Sequence, residues 1–83
     1  MEKQDAIKIL KRISGEVEDI SLTGMKKGSK NYLIKVFEQV SVECRQKQWI
    51  DESLYRVVAT GLDSNNLDEI GSAAGMLEEF LKE

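Results

Sequence analysis

The stretch Ala6-Ile7-Lys8-Ile9-Leu10-Lys11-Arg12-Ile13-Ser14-Gly15-Glu16-Val17-Glu18-Asp19-Ile20 decides how the chain is read. Ala6, Ile9, Leu10, Ile13, Val17 and Ile20 recur at spacings of three and four. An α-helix turns once every 3.6 residues, so this spacing gathers them into one apolar stripe. Lys8, Lys11, Arg12, Glu16 and Asp19 fall elsewhere on the cylinder. The spacing predicts a helix from about residue 3 to residue 21. Gly15 is its weak point, because glycine inside a helix costs about 1 kcal/mol relative to alanine. A rival reading stops the helix there and leaves residues 16–22 extended. Strict apolar–polar alternation is absent from that segment, which favours the helix.

Residues 22–29 hold two glycines and two adjacent lysines and read as a connection. Ser29 is placed to cap the second helix. Leu33, Val36, Phe37, Val40 and Cys44 form a second stripe, on a helix expected to reach about Gln48. Ile34 and Val42 lie off it. At Ile50-Asp51-Glu52-Ser53-Leu54-Tyr55 a third helix begins. Asp51 is its N-cap, and Ile50 and Tyr55 occupy the two positions of a hydrophobic staple. Leu54, Val57 and Val58 are expected inside, and Gly61 is expected as the left-handed residue that ends the helix. Asp63-Ser64-Asn65-Asn66 is turn chemistry. Asn66 and Glu69 have the spacing of a capping box. A fourth stripe carries Leu67, Ile70, Ala74, Leu77 and Leu81, with Ala73 and Phe80 beside it.

Four amphipathic helices with short links bury their stripes by packing on one another. The expected fold is all-α: a small, compact, antiparallel bundle of four helices in a single domain spanning residues 1–83. A three-helix arrangement is the alternative if the first two elements merge. At 83 residues there is room for one core and no second fold. Apolar residues at 41% and charged residues at 33% are the composition of a globular chain.

Several classes of chemistry lack their residues. The chain has no histidine, hence no ordinary neutral-pH general base and none of the commonest metal ligand. Its single cysteine, Cys44, forbids an internal disulfide and suits a reducing compartment. Cys44 also falls on the apolar stripe, where a structural thiol is expected. Asp63-Ser64-Asn65 opens like a calcium loop, but Leu67, Asp68 and Ala74 stand where a ligand, the turn glycine and the bidentate glutamate belong. No CxxC, phosphate-binding glycine loop or nucleophile elbow occurs. No catalytic residue, cofactor site or metal site is expected.

Charge is divided along the chain. Residues 1–50 carry a net +3 and residues 51–83 a net −6, for −3 overall. The acidic third repels phosphates, which argues against nucleic acid there and for docking to a basic protein surface. Lys26, Lys27 and Lys30 form the only basic cluster and read as a solvated loop. No apolar run is long enough for a signal peptide or a membrane span, so a cytoplasmic protein is expected. Gly71-Ser72-Ala73-Ala74-Gly75 holds two glycines in a helix, and close approach of a neighbouring helix would offset their cost.

What remains is binding. The sequence predicts a non-enzymatic protein-binding module, an acidic inhibitor or immunity-type protein that neutralises a partner by masking a basic surface. Glu52, Asp63, Asp68, Glu69 and Glu79 would attract and orient the partner, and Trp49 and Tyr55 would supply buried area. The alternative is a structural or chaperone-like adaptor for an amphipathic helix, or a homodimeric assembly factor. It would use Ile34, Val42, Met76 and Phe80.

Overall fold

The computed structural model describes the backbone of residues 1–23 and 29–83, and the side chains of residues 1–20 and 30–83. Four α-helices make up the fold: α1 (Lys3–Thr23), α2 (Ser29–Gln46), α3 (Glu52–Asp63) and α4 (Leu67–Lys82). The first is continuous through Gly15, whose added Cβ would meet nothing within 4 Å. Neither the extended reading of residues 16–22 nor the three-helix alternative holds. The helix runs two residues beyond its expected end. Lys26, Lys27 and the cap assigned to the Ser29 side chain lie outside the described residues.

Each helix buries its stripe. Ala6, Leu10, Ile13 and Val17 of α1 meet Leu33, Phe37, Val40 and Cys44 of α2, Val58 of α3, and Ile70, Ala73, Ala74, Leu77 and Leu81 of α4 in one cluster. Ile50 joins it from the α2–α3 link, and Ile34 is partly buried against it. Ser41 is fully buried, and its hydroxyl donates to the Phe37 carbonyl at 2.7 Å. That bond removes the cost of burying a polar group. Among the described residues no buried side-chain nitrogen or oxygen lacks a partner.

Consecutive helices pack together, and α1 closes the ring against α4. The glycines of α4 show why. A Cβ added at Gly71 would come 2.8 Å from Cγ1 of Val17, and one at Gly75 would lie 3.7 Å from Oγ of Ser14. Position 71 thus faces 17 while 75 faces 14, so the two helices run antiparallel at close range. The offset expected for the glycine pair comes from inside the domain. Gly71→Ala is expected to destabilise by about 1–2 kcal/mol, because the overpacking cost exceeds the helix-propensity gain. Gly15→Ala, with open space around it, gains about 1 kcal/mol. Urea titrations of the two variants check the opposite signs.

The helix ends depart from expectation in instructive ways. α2 stops at Gln46, two residues early, in a Schellman motif. Gln48 takes the left-handed conformation (φ 60°), its N–H bonds to Arg45 O at 3.0 Å, and the Trp49 N–H reaches Cys44 O at 3.0 Å. A glutamine there carries the Cβ penalty that glycine avoids. Gln48→Gly is therefore expected to raise stability by about 1 kcal/mol, read as a higher denaturant midpoint.

α3 does not end at Gly61. That residue is buried within the helix, and its added Cβ would lie 3.5 Å from Cβ of Ala73. Gly61 serves to bring α3 close to α4. The left-handed residue is Asn65 (φ 54°), whose N–H bonds to Leu62 O at 3.2 Å. The Ser64 hydroxyl donates to Gly61 O at 2.6 Å and accepts from the Asn66 N–H at 3.2 Å. It relays the connection that a direct backbone bond makes in a Schellman motif.

The expected N-caps at Asp51 and Asn66 are present. Asp51 Oδ1 accepts from the Leu54 N–H at 2.8 Å. Asn66 Oδ1 accepts from the Asp68 N–H at 2.9 Å, and its own N–H goes to Ser64 rather than to Glu69, so no capping box forms. No helix of the described residues is long and apolar enough to cross a membrane.

Candidate functional site: the outer face of α3 and α4

Leu54, Val58 and Leu62 succeed one another at intervals of four and hold α3 on the core. Val57 is therefore turned out, at 52% exposure, and not inward as the sequence suggested. Met76 and Phe80, one turn apart on α4, are exposed as well, at 39% and 43%. Phe80, like Met76, stands outside the core stripe, as expected of both.

Between α3 and α4 lies an open groove of about 460 Å³. Val57, Thr60 and Gly61 line it from α3, and Asp68, Glu69, Ser72, Ala73 and Met76 from α4. Its floor is low because Gly61, which has no side chain, faces the methyl group of Ala73. A second depression of about 480 Å³ lies at the α2–α3 corner. Arg45, Trp49, Glu52 and Phe80 are among its walls.

Of the seven residues expected to bind a partner, four line these places and Tyr55, Asp63 and Glu79 line neither. Asp68 and Glu69 belong to the groove, and Trp49 and Glu52 to the corner. Trp49 is half-buried, held by the Schellman turn. Tyr55 is half-buried too, with the Arg45 guanidinium 4.6 Å from its ring centroid. Arg45 also reaches Glu52 at 3.1 Å. Glu79 is exposed on α4, 3.7 Å from Lys82 Nζ, and Asp63 is exposed at the end of α3.

Local ion pairs thus partly neutralise Glu52 and Glu79. Glu78, nearly buried, holds Lys82 at 2.7 Å. A hydrogen bond to that carboxylate raises the Lys82 ammonium above the ordinary lysine value. Asp68 and Glu69 make no ion pair among the described residues, and both sit in the first turn of α4, where the helix dipole favours carboxylates.

Sequence reasoning missed Val57 as a surface group. The signal was its neighbour: of two adjacent valines only one fits a stripe, and the 54–58–62 interval selects Val58. Ile34 and Val42 line neither the α3–α4 groove nor the corner with Met76 and Phe80. Among the described residues no three histidine, cysteine, aspartate or glutamate side chains converge on a point that would hold a metal ion. No protein-family model, curated protein or solved structure matches the chain.

Proposed function

We propose that the chain is a non-enzymatic protein-binding module, a small acidic inhibitor or immunity-type protein that neutralises a partner by covering a basic surface. One observation carries the reading: Asp68 and Glu69, free of ion pairs among the described residues, line the same groove as the exposed Val57 and Met76. Carboxylates beside solvated apolar groups suit an interface. The charges speed and orient encounter, and the apolar groups supply the area that is removed from water. The net −6 of residues 51–83 adds a longer-range attraction for a basic partner.

Tyr55 has a lesser part than the sequence assigned to it, because Arg45 already covers its ring. Trp49 retains its part at the corner next to Phe80. The adaptor reading draws on the exposure of Met76 and Phe80. It differs in expecting binding that persists in high salt, whereas charge-led masking weakens as ions screen it.

The test is charge reversal. The triple change of Asp68, Glu69 and Glu79 to lysine leaves the core untouched, since all three are exposed. Affinity for the partner that co-purifies with the wild type is expected to fall about 100-fold at low salt, with a flattened salt dependence. Equal affinity and an equal salt slope in the variant would remove the acidic face from the account.

A further inference from the structure

We infer that the α3–α4 groove receives a basic amphipathic helix of the partner, with apolar residues on one face and lysine or arginine at its edges. This rests on the protein-binding reading above and names the element of the partner that is bound.

Length supports a helix as the occupant. The groove and corner are lined along α4 by residues from Asp68 to Phe80, twelve helical steps apart, or about 18 Å at the helical rise. That matches about three turns of a docked helix. The exposed apolar groups are graded along this track. Val57 and Met76 share the groove, and Phe80 stands about 6 Å further on, one turn beyond Met76. Side chains at i, i+3 or i+4, and i+7 of a docked helix meet such a series in turn. A flat basic surface would leave the groove floor at Gly61 and Ala73 unfilled.

Charge complementarity sets the sign of the occupant. Asp68 and Glu69 form the rim near the start of α4, and Glu79 and Glu52 lie toward the other end. Arg56 is exposed on α3, while Arg45 and Lys82 are engaged with Glu52 and with Glu78 and Glu79. Glu52 and Glu79 are therefore partly offset at their end of the track, and the sign is set by the carboxylates of Asp68 and Glu69. They repel an acidic helix and leave an uncharged one without register.

The probes are three synthetic peptides about 14 residues long, each lacking tryptophan. One places leucine at helical intervals among lysines. A second scrambles the same composition so that no apolar face forms. The third keeps the leucine pattern with glutamine in place of lysine. Binding to the full chain is tracked by Trp49 fluorescence and by anisotropy of labelled peptide. The patterned lysine peptide is expected to bind about tenfold or more tighter than either control. Met76→Lys and Phe80→Lys, both at exposed positions, are each expected to weaken it about tenfold, with the helical circular dichroism of the protein unchanged.

Equal binding of the scrambled peptide would overturn the groove while leaving charge-led masking intact. Equal binding of the glutamine peptide would overturn the basic partner in both readings. Absence of binding by all three would overturn the docked helix. A dimer in sedimentation that Met76→Lys dissolves would assign the groove to a second copy and likewise overturn it.

Discussion

Phe37→Ala is expected to remove about 3–5 kcal/mol of folding stability. Phe37 has no exposed surface and is the largest of the fully buried side chains. Truncation deletes its ring from water-free surroundings and leaves a cavity that rigid neighbours fill only in part. A domain of 83 residues holds about 4–12 kcal/mol in total, so the loss takes much of the margin. Urea unfolding monitored by circular dichroism measures it, and the melting temperature should drop by about 15–30 °C. Phe80 provides the contrast. It has the same side chain at 43% exposure, and Phe80→Ala should cost no more than about 1 kcal/mol. Similar losses for both would mean that Phe37 is not inside.

Alkaline pH is expected to weaken the fold through Cys44. Burial, with Glu43 adding to it, pushes the thiol from its ordinary 9.0 up to about 11. The unfolded chain releases its thiol proton near 9 and the folded chain holds it. Above that point the folded state binds more protons, and stability falls as pH rises. The contribution is intact below pH 9 and is lost by about pH 11, a difference of about 2–3 kcal/mol. Lys82 adds to the same trend, since a raised lysine contributes stability below its unfolded value and loses it as pH climbs through the folded one. Chemical denaturation at pH 8, 9, 10 and 11 (a window set by the thiol) measures the slope. In Cys44→Ala most of the fall between pH 9 and 11 should vanish, whatever the variant costs at neutral pH. An unchanged slope would place its origin elsewhere.

Stripe membership was legible in the sequence because period is a property of many residues together. Single departures such as Gly15 cannot break it, and α1 runs straight through. Helix ends were less legible because they depend on one or two residues with competing uses. Gly61 looked like the end of α3 by its freedom of backbone, yet packing against Ala73 claimed it. Asn65, the next best residue for a left-handed angle, took the turn. Gln48 is harder still to foresee, since nothing about glutamine favours its conformation.

The proposed binding face was half legible. Composition located the acids, and the 3.6-residue period indicated which of them leave the core. Their grouping required the tertiary structure: Asp68 shares a groove with Val57, and Trp49 shares a corner with Phe80 thirty-one positions away. Pairing was invisible as well. Only with side chains placed does Arg45 emerge between Tyr55 and Glu52, quieting two residues the sequence had promoted.

The seam between α1 and α4, closed by Gly71 on Val17, has a bearing on how the protein comes into being. A ribosome releases α1 first, and that helix must wait with its greasy side bare until α4 emerges. Two early helices offer one another less than the late one offers the first, because the ring of neighbours closes only at α4. The native core is therefore complete only once α4 has left the ribosome, and its closing step joins segments distant in sequence. Chains stalled after α3 should be held by chaperones or cleared by proteases.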